Sequence, residues 1–162
     1  MSYGHEDGYA GTPATEYGDC VMGRTLGIDY GDRRVGVAVS DELGSMALPL
    51  ITLEKERKLS DRVRRVIRLG KQHEVTGFVV GLPLLMSGEE GPQAEITRAF
   101  AERLKERSGL PVDLVDERLS TQAATRALNE MQVTGKRKKE LVDQSAAAII
   151  LQTWLDRVSA EA

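Results

Sequence analysis

Three acidic residues, Asp29, Glu117 and Asp143, sit where carboxylates could do chemistry together. Carboxylates converging from separate elements can hold two divalent ions ~3.5–4 Å apart, one activating water and one stabilising a leaving oxygen, as phosphodiester hydrolysis requires. Oxygen donors suit Mg²⁺ or Mn²⁺, whereas a zinc site would want His and Cys. The chain has only His5, His73 and Cys20 of those, scattered and in no ligand-like spacing, which argues against zinc chemistry and against a Cys–His nucleophile. Like charges brought together raise the pKa of at least one until a cation arrives, so a site of this kind is expected to depend on metal.

Each acid also has a plainer reading. Asp29 ends a short β-like run, Thr25-Leu26-Gly27-Ile28-Asp29, and precedes Tyr30-Gly31-Asp32-Arg33. An acid at the end of a central strand suits a ligand in the crevice there, but Asp is also a common turn residue. Glu117, in Asp116-Glu117-Arg118, follows a predicted strand and precedes a Ser120-Thr121 helix start, where acids are ordinary dipole partners. Asp116 and Glu117 point to opposite sides if strand geometry persists, so one of the two at most faces the metals. Asp143 heads a stripe with Ala146, Ala147, Ile150 and Trp154 at helical spacing. An acid on an otherwise apolar, sheet-facing stripe needs something to compensate its charge. The small residues Ser145-Ala146-Ala147-Ala148 would let that helix approach the sheet and carry Asp143 towards Asp29. Basic residues flank all three acids: Arg33 and Arg34 beside Asp29, Arg118 beside Glu117, and Arg137, Lys138 and Lys139 before Asp143. Such groups can grip phosphates without reading bases, although a Lys-Arg run is as often a solvated loop. Arg57, Arg62, Arg64, Arg65 and Arg68 are expected on an exposed helix face, and Trp154 in the core.

The elements that position these residues can be read from periodicity. A strand over 25–29 is followed by period-2 alternation at Val35, Val37 and Val39, and by a third strand over 46–53, making an antiparallel meander. Leu59, Val63, Val66, Ile67 and Gly70 mark a helix over 56–73. The apolar run 77–82 reads as a central strand buried on both faces. Pro92 opens a helix bearing Ile96, Phe100 and Leu104, which ends near Ser108-Gly109. A fifth strand over 111–115, a helix over 121–131, a basic link over 135–139 and a last helix over 139–158 complete the order β-β-β-α-β-α-β-α-α. That is the order of an α/β, RNase H-like fold: a five-stranded mixed sheet with helices on both faces.

Bulk properties are compatible with this reading. The 162 residues fit one folded unit, expected over 23–160. Residues 1–22, with Glu6, Asp7, Glu16 and Asp19 and no Lys or Arg, read as a disordered acidic leader. Setting those four acids aside leaves 22 basic residues against 21 acidic, so any basic surface must come from local clustering. A single cysteine excludes an internal disulfide framework, and no apolar run nears the ~20 residues of a membrane span. Without a secretory start, the cytoplasm is the expected location and no membrane partner is foreseen.

Gly27-Ile28-Asp29-Tyr30-Gly31 with Arg34-Val35-Gly36-Val37-Ala38 closely resembles the opening motif of the YqgF/RuvX family. The likeness continues through Val80-Gly81-Leu82-Pro83, Asp116-Glu117-Arg118-Leu119-Ser120-Thr121 and Val142-Asp143-Gln144-Ser145-Ala146-Ala147, in the same order. The resemblance implies an RNase H-like fold and a cytoplasmic nuclease, either maturing the 5′ end of pre-16S rRNA or resolving Holliday junctions. It implies acidic site residues at Asp29, Glu117 and Asp143. One departure stands out: RNase H-like nucleases typically carry an acid at the end of the fourth strand, where this chain has Gly81-Leu82-Pro83. Glu117, one strand farther from Asp29, would have to reach back.

Other functions remain open at this level. The Asp-x-Gly turn also resembles the phosphate hairpin of actin-like and sugar-kinase ATPases, but those close two such domains around a nucleotide and this chain has room for one. A non-catalytic RNA-binding assembly factor could keep the same shell. RNA is favoured over branched DNA only by the resemblance, since no aromatic-rich motif announces stacked bases. Symmetric junction cutting would need two sites and hence a homodimer, which sequence cannot show.

Overall fold

Apolar residues at every second position of the first strand face one helical layer, and the small residues between them face another. The computed structural model describes residues 23–118 and 135–161, with 135–144 described as backbone only. Strands β1 (Arg24–Tyr30), β2 (Arg34–Ser40), β3 (Ala47–Glu54), β4 (Val75–Leu82) and β5 (Val112–Asp116) form one sheet in the order β3-β2-β1-β4-β5. β1 is central, antiparallel to β2 and parallel to β4, and β4 is parallel to β5. Helices α1 (Leu59–Gln72), α2 (Pro92–Ser108) and α3 (Gly135–Glu161) complete the described elements. The mixed five-stranded sheet is the one expected from the element order. The predicted leader over 1–22 and helix over 121–131 lie outside the described residues.

Leu26, Ile28 and Tyr30 of β1 join Val66 and Ile67 of α1 and Phe100 of α2 in one core. On the opposite face Val79 and Val115 pack with Ile150, Leu151 and Trp154 of α3. The predicted α3 stripe is borne out from Ala146 onwards: Ala146, Ala147, Ile150 and Trp154 are all fully buried, while the side chain of Asp143 lies outside the described residues. Trp154 is core, and its indole N–H donates to Asp113 Oδ2 at 2.8 Å near the start of β5.

Three expectations need correction. Ile96 is 47% exposed, because the buried face of α2 runs through Ala94, Thr97, Ala101 and Leu104, and a 3.6-residue turn carries Ile96 just outside that arc. Residues 135–139 are not a link but the opening of α3; Lys and Arg are good helix formers and nothing stops the helix from propagating through them. Arg62 is not simply exposed. Its guanidinium donates to Tyr30 Oη at 3.0 Å and to the carbonyls of Glu56 and Arg57, tying the β3–α1 connection to the end of β1.

α3 approaches the sheet most closely over Gly27. A Cβ there would lie 2.7 Å from Leu151 Cβ and 3.0 Å from the Ala147 carbonyl oxygen, so glycine is required by contact with the helix. Gly27→Ala should therefore destabilise the protein by about 1–3 kcal/mol through overpacking, read as a lower denaturation midpoint in urea with an unchanged slope.

Candidate active site

Asp29 is the penultimate residue of β1 and, by alternation with Ile28 and Tyr30, belongs to the face covered by α3. Glu117 is the first residue after β5. Its backbone N–H donates to the Leu82 carbonyl at 3.2 Å, which extends the β4–β5 pairing by one residue beyond Leu82–Asp116. Val115 belongs to the α3-side core, so Glu117 falls on that same face and Asp116 on the other.

Between Asp29 and Glu117 runs β4, and the gap is bridged because β4 carries Gly81 there. A Cβ on Gly81 would lie 2.6 Å from Glu117 Oε2 and would also collide with Ile150 Cδ1. The Glu117 carboxyl therefore passes over a strand with no side chain in its way and is turned towards Asp29. Gly81 is a site residue the sequence reading did not single out. Its signal was the departure already noted, a glycine where related folds place an acid.

Burial pushes the Glu117 carboxyl above its ordinary value, the Asp116 charge adds to this, and the neighbouring Asp29 opposes it. Asp116 behaves in the opposite way. Arg118 holds it in a fork, Nε and Nη2 at 2.9 and 2.7 Å from Oδ2, and this lowers its pKa. Glu117 is thus the acid turned towards Asp29, and Asp116 is the one that anchors Arg118.

Asp143 is described as backbone within α3. Ile150 lies over Gly81 near the end of β4 and Trp154 bonds to Asp113 near the start of β5, so following α3 towards its N-terminus leads to the Asp29 end of the sheet. Position 143 lies on the part of α3 that leads towards that end. Among the described residues, no group of three or more His, Cys, Asp or Glu side chains converges.

Arg34 opens β2 on the face of Asp29, two residues from Gly36, the partner of Asp29. Its side chain is mostly buried, 3.8 Å from Glu54, and its Nε has no hydrogen-bond partner among the described residues. Arg118 reaches from Asp116 to the turn at Gly88, placing a second guanidinium at the same end. The side chains of Arg137, Lys138 and Lys139 lie outside the described residues. Sequence reasoning missed Lys55, whose ammonium donates to the Gly31 carbonyl at 2.9 Å and sits 4.2 Å from the centre of the Tyr30 ring. It steadies the turn that follows Asp29, and only the tertiary fold brings it there.

The donors at this site are carboxylate oxygens in a cradle that a Cβ at Gly81 would fill, a set that fits a hard divalent cation. Because the fold raises the Glu117 pKa, the native state binds more protons than the unfolded chain at pH values between the ordinary glutamate value of 4.5 and the raised one. This stabilisation is complete below the ordinary value and lost as pH rises through the raised one. In EDTA, melting temperature should fall as pH increases across that window in the parent, and Glu117→Gln should flatten the slope.

Residues 23–157 match the family described as "RuvX: Holliday junction resolvase". A relative from Myxococcus xanthus, named "Putative pre-16S rRNA nuclease", is 48% identical over 82% of this chain and 87% of its own length. One of the same name from Symbiobacterium thermophilum is 47% identical over 82% of this chain and 92% of its own. Among solved structures, Thermus thermophilus RuvC in complex with Holliday junction substrate shares 17% identity over 85% of this chain and 96% of that one, at a TM-score of 0.54, a likeness of fold. With a match along nearly all the described residues and relatives close to half identical, the chain belongs to the RuvX family.

Proposed function

We propose that this chain is a divalent-metal-dependent nuclease acting on RNA, in the 5′-end processing of pre-16S rRNA, with Asp29, Glu117 and Asp143 as its metal ligands. The observation that carries this reading is the reach of Glu117 over Gly81 towards Asp29, which brings two carboxyls together at the end of the central strand. The names of the relatives supply the substrate. Residues 23–160 form the nuclease domain. A cytoplasmic location accords with that role, and no helix among the described residues is long and apolar enough to cross a membrane.

Two Mg²⁺ or Mn²⁺ ions, when bound, supply the activation of water and the neutralisation of charge on the leaving oxygen. The protein's own residues do the rest. Glu117 must ionise to become a ligand, and burial favours its protonated form, so cation affinity rises with pH. Asp143 closes the site from α3. Arg34 and Arg118 orient the scissile phosphate from either side, and Arg137, Lys138 and Lys139 hold the flanking backbone from the first turns of α3. Gly81 keeps the lane open for Glu117.

A second reading, junction cutting, is favoured by the family description itself. It requires two sites acting together and hence a homodimer. The discriminating experiment is Mn²⁺-dependent cleavage of single-stranded RNA, single-stranded DNA and four-way DNA junctions. RNA should be cut fastest. Asp29→Asn, Glu117→Gln and Asp143→Asn should each reduce cleavage by ~100-fold or more, and Gly81→Ala by ~10–100-fold through displacement of Glu117. Preferential cutting of the junction would select the second reading. RNA binding without any metal-dependent cleavage would reduce the protein to an assembly factor.

A further inference from the structure

The segment from Lys55 to Gln72 holds eight basic side chains against two acidic ones, Glu56 and Asp61, a net of +6 in a chain whose total is −3. Everything outside those 18 residues therefore sums to −9. This is not the even mixture of signs that keeps a solvated helix soluble. Exposed helices gain from opposite charges three or four residues apart, whereas Arg64 and Arg68 are like charges at i,i+4 and Arg65 and Arg68 at i,i+3.

The basic residues divide into two sets. Arg62 is used internally, on Tyr30 and the β3–α1 connection, and Arg65 bonds the Glu54 carbonyl and faces Glu56. Arg57, Lys58, Arg64 and Arg68 are exposed. Of these only Arg64 has an ion-pair partner among the described residues, Asp61 at 3.2 Å. The crowding of positive charge reaches Lys55, whose ammonium is lowered by burial and then by the Arg62 charge.

The position of this strip ties it to the site. β3 runs parallel to β1, so α1 begins at the end of the sheet that carries Asp29. The Lys55 N–H donates to the Arg33 carbonyl at 2.9 Å, and Arg62 holds the hydroxyl of Tyr30, the neighbour of Asp29. From there α1 leads away along the other face of the sheet, ending at Gln72. Lys58 to Lys71 spans about 20 Å of helix, the length of about six phosphates along one strand of a duplex.

We propose that the exposed face of α1, through Arg57, Arg64 and Arg68, is a track for the phosphate backbone of an RNA arm that leaves the acidic end and turns down the opposite face of the sheet. This rests on the nuclease reading for its substrate, and it makes that substrate a folded or branched RNA with an arm long enough to reach α1. The contacts are to phosphates and carry no base sequence.

The test measures binding in an Asp29→Asn background without Mn²⁺, so its outcome is readable whether or not the parent cleaves. A fluorescein-labelled RNA stem-loop of about two helical turns is titrated at several salt concentrations with the full chain, and with its Arg57→Gln/Arg64→Gln/Arg68→Gln version. The slope of log affinity against log salt should fall by about 2 to 3, with affinity ~10-fold or more weaker at moderate salt. A six-nucleotide RNA should lose far less. The corresponding triple lysine version should restore most of the slope. Arg103→Gln/Lys105→Gln/Arg107→Gln on α2 removes the same charge elsewhere and should leave most of the slope in place. The melting temperature of the α1 version should hold or rise, since like-charge repulsion is removed. An unchanged slope in the α1 version, or an equal fall in the α2 version, overturns the track. An effect confined to four-way DNA junctions overturns its assignment to RNA. Loss of cleavage in the parent with the α1 dependence intact removes the nuclease reading and leaves the track standing.

Discussion

Close approach of α3 to the sheet is the constraint from which the rest of the site follows. The helix can lie where it does because β1 presents Gly27 beneath Ala147 and Leu151, and β4 presents Gly81 beneath Ile150. A side chain at either place would lift the helix. The same absence of side chains serves two purposes at Gly81, where it also admits the Glu117 carboxyl. Packing and chemistry therefore make one demand of that position, for the smallest residue.

Electrostatics at the site depend on a division of labour between adjacent acids. Asp116 and Glu117 are neighbours in the chain, but strand alternation sends them to opposite faces with opposite consequences. Asp116 is held by the Arg118 fork and kept charged, while Glu117 is desolvated and pushed towards its protonated form. Arg118 is in this way held by Asp116.

Much of this was legible in the sequence because it rests on local period. Alternation along β1 and β2 and the helical stripe ending at Trp154 lead directly to the sheet and to its α3 cover. The resemblance of four ordered motifs to one family pointed to the same acids. What could not be read were contacts made by long or absent side chains across the fold. Gly81 looked like a missing ligand, and its role emerged only when the path of Glu117 was known. Arg62 looked like a surface charge and Lys55 drew no notice, because their partners, the Tyr30 hydroxyl and the Gly31 carbonyl, lie more than twenty residues away. Ile96 failed for a different reason. A step of four approximates the helical period over one turn and drifts from it over two.

The hydrogen bond from Trp154 to Asp113 pins α3 at the far end of the sheet, eleven residues from Asp143. Between pin and acid the chain is uninterrupted helix, so the direction in which position 143 faces is fixed by residue count. Removing or adding one residue in that stretch would swing the acid by about 100° around the helix axis while leaving the helix itself intact. The distance from Trp154 to Asp143 thus acts as a gauge of fixed length.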